Sequence, residues 1–334
     1  MLTAVAAIFV FLMVVFIHEL GHFSVAKFVG IKVNEFSVGM GPKLVQRKKG
    51  ETEYTLRLLP IGGYVKMEGE DESSDDPRSF NNVPVLSRIG VVVAGAIMNF
   101  LLAIIVFGIV SYGIGMPTNE IQKTVAGSPA YIAGIVEGDV IESINGNDTN
   151  TWNKIVKSIN KADPMSEMSI DVLRNGKNEK ILVKPTVEDG KSIIGIHPET
   201  EQSIISAIRG GFEKTGEFLG LMFEFVSMIF KGKVSTDDLS GPVGVISVIG
   251  EAAKMGIYDV LYLLGFISVN LGFFNLLPIP ALDGSRVIFL LIELVRGKPI
   301  DPNKEGFIHL VGFVLLISLM LIVTYKDIIN INLF

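Results

Sequence analysis

Ile17-His18-Glu19-Leu20-Gly21-His22 closes a run, Met1 to Ile17, that carries no charged residue. On a helix, residues four apart lie one above the other, so His18 and His22 can bring both imidazoles to one zinc ion while Glu19 addresses the attacking water. That is the outline of a metalloprotease site. The pattern also arises by chance, and a chain with four histidines can carry it without chemistry. Its setting argues for function: ionisable side chains at bilayer depth cost about 2.5 to 3.5 kcal/mol each and persist mainly where they are needed. An uncharged segment of this length is long enough to enter a bilayer.

The composition agrees. Of 334 residues, 49% are hydrophobic and 19% charged, and the mean hydropathy is +0.49. Four segments are long and apolar enough to span: Leu2 to about Lys27, the uncharged run Ile89 to Asn119, a third between Asp259 and Asp283, and Gly306 to Tyr325. The first has no basic residue ahead of it and no small-residue cleavage site, so it is read as mature structure and not as a signal peptide. The loop from Lys27 to Arg88 holds ten Lys and Arg residues, and Arg286, Arg296, Lys298 and Lys304 precede the fourth span. Both loops are therefore expected in the cytosol, with the termini and the long segment between the second and third spans outside. There is no cysteine, so disulfides and thiolate ligands are excluded. The net charge of -6 gives no hint of nucleic acid binding.

Domain boundaries follow from these spans. Residues 1-28 form the first membrane helix and 29-88 a cytosolic-side β-hairpin region with an acidic loop. Residues 89-114 form the second helix, and 115-201 a compact domain. Residues 202-257 are read as an amphipathic helix and linker, 258-296 as the third membrane helix, and 305-326 as the fourth. The β-like runs Phe36 to Pro42 and Tyr54 to Val65 are punctuated by glycine and proline. They read either as a hairpin packed on the bundle or as a sheet edge that aligns an extended substrate. Glu68 to Asp76 reads as a solvated acidic loop. Gly95 and Asn99 in the second span mark close helix packing. Ile204 to Phe230 reads as an interfacial helix, and Leu239 to Gly244 as a break.

Within 115-201, Asn145-Gly146 and Asn175-Gly176 are hairpin turns, and Trp152 to Ile159 is a predicted helix. The stretch Gly127 to Gly146 resembles the core of a PDZ domain in its rearranged bacterial form, with Ser192 to Ile196 as the expected closing strand. Such domains bind peptides by strand addition.

Catalytic zinc takes three protein ligands and keeps one position open. His197 closes the inserted domain and His309 opens the fourth span, where packing or a bond to a neighbouring helix is the expected role; the third ligand should be a carboxylate. Asp283 is the best candidate. It ends Asn275-Leu-Leu-Pro-Ile-Pro-Ala-Leu-Asp-Gly284, where Pro278 and Pro280 prevent a regular helix, and irregular backbone at membrane depth belongs to a hydrated cavity. Asp283 as a cap of the next helix is the alternative. Glu293 and Asp259 are weaker rivals.

With both metal motifs in view, the chain resembles the site-2 protease family, in particular the bacterial regulator-of-sigma-E type. The match includes His18 to His22, Asn275 to Gly284, Phe36 to Pro42, Pro60 to Val65, the single PDZ-like insert and Thr324 to Ile328. Ala96 and Lys326 depart from the family's usual proline and asparagine. The resemblance implies zinc on His18, His22 and Asp283, Glu19 as general base, and Asn275 as a substrate or oxyanion contact. The expected fold is a multi-pass α-helical membrane protein with four transmembrane helices, a membrane-associated β-hairpin sheet and an inserted α+β PDZ-like domain. The expected function is a zinc endopeptidase in the cell membrane. It would cut transmembrane segments of single-pass proteins near the cytosolic face, such as anti-sigma-factor-like regulators or remnant signal peptides, after another protease has trimmed them. Its partners are then those substrates and the lipid bilayer, with no nucleic acid. A catalytically silent PDZ-bearing scaffold and a metal transporter are the rival readings.

Overall fold

The structure, a computed structural model, describes residues 1–70, 74–233 and 240–330. Asp71 to Ser73 of the acidic loop and Leu239 of the expected break lie outside the described residues. In chain order the helices are α1 (Leu2–Phe28), α2 (Val85–Ile114), α3 (Pro129–Ile132), α4 (Trp152–Asn160), α5 (Ile204–Phe230), α6 (Pro242–Met255), α7 (Ile257–Leu276), α8 (Asp283–Arg296) and α9 (Pro302–Asn330). The chain divides into two compact units, Met1–Val110 with Ile208–Phe334, and Ser111–Ala207.

In the first unit, α1, α2, α7 and α9 are long and apolar enough to cross a membrane. Lipid is as apolar as leucine, so such helices associate through close packing and not through a hydrophobic drive. Small and β-branched residues provide that fit: Ala6, Ala7, Val10 and Val14 of α1 are buried with Val106 of α2, Ile249 and Ala252 of α6, and Val260 and Leu264 of α7. Only 11% of the apolar stretch of α9 is buried, against 44% for α2, so α9 turns most of its apolar surface outward, as a helix against lipid does. Phe218 of α5 stacks on Phe107 of α2 at 5.5 Å and is buried with Ala103 and Val269.

Three expectations are corrected here. The third membrane helix does not run through 258–296: α7 stops at Leu276 and α8 starts at Asp283, the break that Pro278 and Pro280 lead one to expect, since neither can donate to a helical ladder. Residues 242–255, read as linker, form α6, whose open N-terminal amides are taken by a distant side chain. Asp327 of α9 accepts from Gly241 N at 3.2 Å and from Gly244 N at 2.8 Å. The described part of the acidic loop is tied down and not merely solvated. Lys32 pairs with Glu68 at 3.1 Å and Asp76 at 3.2 Å, and Arg286 pairs with Glu70. Hydrogen bonds from Ser74, Asn34 and Lys32 hold the Glu68 carboxyl at about 2.

Strands β1 (Val33–Lys49) and β2 (Thr52–Met67) form the hairpin. It curls on itself, so Ser37 faces both Tyr64 and Thr55, and Phe36 faces both Val65 and Tyr54. The bend falls where Gly39, Gly41 and Gly62 hold positive φ. Among the described residues, the outer stretch Gly63–Met67 pairs only with Val33–Val38.

The second unit holds β3 (Met116–Thr124), β4 (Val140–Ile144), β5 (Asn147–Asp148), β6 (Met168–Arg174), β7 (Lys177–Val183), β8 (Thr186–Glu188), β9 (Lys191–Ile193) and β10 (Ile196–Glu201). Its main sheet runs β10-β3-β4-β6-β7 with β5 beside β4, and β8 pairs with β9. Asn145-Gly146 and Asn175-Gly176 have positive φ, as two-residue hairpins of this type require. The closing strand is β10, paired with β3. Ser192 to Ile196 does not close the sheet as one strand, because Gly195 turns the chain at φ 76°. Inside the unit, Arg174 grips the fully buried Asp139 through two 2.7 Å bonds, and Ile121, Ile141, Ile155, Met168 and Ile170 fill the core. An apolar cleft of about 280 Å³ lies between α4 and Ser192–His197.

Candidate metal centre

His18 and His22 face inward from α1 and are buried. Their Nε2 atoms stand 3.2 Å apart. Asp283, the first residue of α8, brings Oδ2 to 3.2 Å from His18 Nε2 and 3.4 Å from His22 Nε2. Asp283 is therefore not a helix cap: that position belongs to Leu282, with no side-chain bond. The Oδ2 atom is buried without an aligned hydrogen-bond donor, so three electron-pair donors converge on one point. Ligands at 2.0–2.1 Å from a tetrahedral ion are about 3.3–3.4 Å apart. The triangle fits zinc.

The atoms behind the triangle set the ring orientations. His22 Nδ1–H donates to the Val91 carbonyl of α2 at 2.9 Å, which leaves the lone pair on Nε2. Asn99 of α2, fully buried, puts one end of its amide 3.3 Å from His18 Nδ1, while its Oδ1 has no partner. With that amide turned by half a turn its oxygen accepts from Nδ1–H, the tautomer that leaves the His18 lone pair on Nε2. Gly95 lets α2 approach: a Cβ there would overlap His22 Nε2 and stand 2.7 Å from His18 Cε1. The sequence reads Gly95 and Asn99 as marks of close helix packing, and Gly95 serves that approach. Both also bear on the ligand rings, and their four-residue spacing on one helix face is the only trace of this in the sequence.

Glu19 leans toward the hairpin, where a Cβ on Gly63 of β2 would stand 2.9 Å from Glu19 Cγ. Asn275, in the last turn of α7, brings Nδ2 to 3.5 Å from His18 Nε2. The other candidates are elsewhere. His197 sits on β10 of the second unit, Asp259 lies in the first turn of α7, and Glu293 accepts two bonds from Arg88, at 3.0 and 2.6 Å. His309 accepts from the Ala281 amide at 3.1 Å and is not part of the triangle.

Two helical histidines with a glutamate beside the first, a carboxylate completing the triangle, and membrane-crossing helices around them define a class, the membrane-embedded metallopeptidases. Residues 6–319 match peptidase family M50. A Clostridium acetobutylicum protein provisionally named a zinc metalloprotease is 43% identical over 332 residues, covering 97% of each chain. The regulator of sigma-W protease RasP of Bacillus subtilis is 34% identical, covering 98% of each. The zinc metalloprotease RasP of Geobacillus kaustophilus is 32% identical, covering 97% of each. The PDZ domain of an SdrC-like protein from Listeria monocytogenes matches 25% of this chain and 86% of its own at 23% identity. Its TM-score of 0.21 leaves the reading of the second unit to that unit's own topology. The chain belongs to peptidase family M50, the site-2 proteases: it is a zinc metalloendopeptidase of the cell membrane.

Proposed function

We propose that this chain cuts the membrane-spanning segments of membrane-anchored proteins near the cytosolic face, with His18, His22 and Asp283 holding zinc and Glu19 as general base. The observation that carries the assignment is the triangle of Nε2, Nε2 and Oδ2, with edges of 3.2 to 3.4 Å. Zinc bound there supplies a Lewis acid that acidifies water and polarises a carbonyl. Glu19 takes the proton of the attacking water and returns it to the leaving amine. Asn275 turns its amide N–H groups on the carbonyl oxygen as charge develops there. Val91 and Asn99 hold the two imidazoles in the tautomers that these roles demand.

A transmembrane helix hides its peptide bonds in its own ladder and must unwind before it can be cut. The outer edge Gly63–Met67 of the hairpin, next to Glu19, offers strand pairing that compensates for the lost helical bonds. Helix-breaking residues in a substrate make the same step cheaper. Anti-sigma-factor-like regulators, already shortened by another protease, and remnant signal peptides suit such a site; the likeness to the regulator of sigma-W protease of Bacillus subtilis supports the first of these.

The test is Glu19→Gln in the full-length protein. It should keep its zinc and lose hydrolysis of a transmembrane substrate by about two to four orders of magnitude. Near-normal cleavage by this variant would sink the assignment of Glu19 as general base, whereas cellular function unchanged by the substitution together with no cleavage by wild type would favour a scaffold.

A further inference from the structure

Asp283 reaches the histidines from a stretch, residues 277–282, that belongs to no helix or strand. Something must hold that stretch still. Ala281, two residues before Asp283, has φ 75°, a conformation a non-glycine residue keeps only where its surroundings over-determine it. Those surroundings are α9. The Ala281 N–H donates to His309 Nδ1 at 3.1 Å. An amide N–H can only donate, so Nδ1 carries the lone pair and the ring is the neutral tautomer with its proton on Nε2, which faces Glu305 Oε1 at 3.8 Å. Three residues further along the same face of α9, a Cβ on Gly312 would overlap Pro280 Cβ and stand 2.6 Å from the Pro280 carbonyl oxygen. Phe289 of α8 closes the other side, edge-on to the imidazole at 5.6 Å. The chemistry above makes no use of His309, yet a polar ring in a membrane helix is kept at a cost.

We infer that His309, with Gly312 beside it, is a positioning residue of the metal centre: α9 grips Pro280 and Ala281 and so holds Asp283 Oδ2 on the two histidines. This rests on Asp283 being a ligand, as proposed above. Because the grip acts through an acceptor atom, its chemistry can be separated from mere packing. An asparagine at 309 carries Oδ1 on the same carbon position that bears Nδ1 in histidine, whereas a glutamine carries its oxygen one atom further out.

The experiment is a chelator titration of zinc bound to the purified full-length protein in detergent, for wild type, Asp283→Ala, His309→Ala, His309→Asn, His309→Gln and Gly312→Ala. Groups that orient ligands are typically worth 10- to 100-fold in metal affinity. That loss is expected for His309→Ala, His309→Gln and Gly312→Ala, with His309→Asn close to wild type. Gly306→Ala, where a Cβ meets nothing within 4 Å, should be silent. Wild-type zinc affinity in His309→Ala overturns the inference, as does equal weakening by Asn and Gln, which would mean that only the ring's bulk matters. If His309→Ala does not fold, the Asn and Gln pair decides. An Asp283→Ala variant that keeps zinc like wild type defeats the ligand assignment and the inference together. A protein that loses zinc with Asp283→Ala but not with His309→Ala defeats the inference alone.

Discussion

Gly95→Ala adds one methyl group, and the structure gives its effect a size. The new Cβ would overlap His22 Nε2 and stand 2.7 Å from His18 Cε1 and 2.8 Å from His22 Cε1, where ordinary contact begins near 3.4 Å. The rings must therefore retreat from α2 by at least about 0.7 Å. His22 cannot swing freely, because Nδ1 is bonded to Val91 on the same helix that bears the new methyl. Metal sites tolerate errors of about 0.2 Å in ligand distance, and the displacement is several times larger. Zinc affinity should fall by 10- to 100-fold or more, about 1.4 to 2.8 kcal/mol, and cleavage of a transmembrane peptide should fall with it. Alanine is the better helix former, so the propensity of α2 works against any loss of fold. Gly90→Ala on the same helix is the control, since its nearest neighbour is Val25 Cγ1 at 4.0 Å. Zinc affinity and cleavage both at the wild-type level in Gly95→Ala would refute the packing argument.

Two other expectations concern the protein in its membrane. The chain has no cysteine, so Asn175→Cys and Ser74→Cys report topology directly: the first should react with an impermeant thiol reagent in intact cells, and the second only after permeabilisation. The reverse pattern would move the active site to the other face. If the second unit excludes substrates with bulky external domains, replacing Thr118 to Pro198 by a short flexible bridge should allow cleavage of full-length substrates that wild type ignores, while trimmed substrates are cut by both. A folded, zinc-loaded deletion that treats both substrates as wild type does would rule out a filter and turn attention to the cleft beside α4.

Local order in the chain determined a good deal. The length of an apolar run, the four-residue spacing of His18 and His22, the two Asn-Gly turns and the helix-breaking prolines before Asp283 are each written within a few consecutive residues. Periodicity and backbone stereochemistry translate such patterns directly into structure. The tertiary structure decided what lies between segments distant in sequence. Asp283 is brought 3.2 Å from a histidine 265 positions earlier, and the choice between ligand and helix cap depended on which way α8 enters. The acidic loop reads as solvated because its partners, Lys32 and Arg286, are not its neighbours in sequence. Gly95 and Gly312 matter for an atom they lack, opposite a ring or a proline on another helix. A missing Cβ has no periodicity of its own. His309 is an isolated imidazole in the sequence and becomes a hydrogen-bond acceptor only when α9 lies against Ala281. Membrane helices dock through close fit and buried polar bonds, and both are properties of two facing surfaces, so neither can be read from one strand of sequence alone.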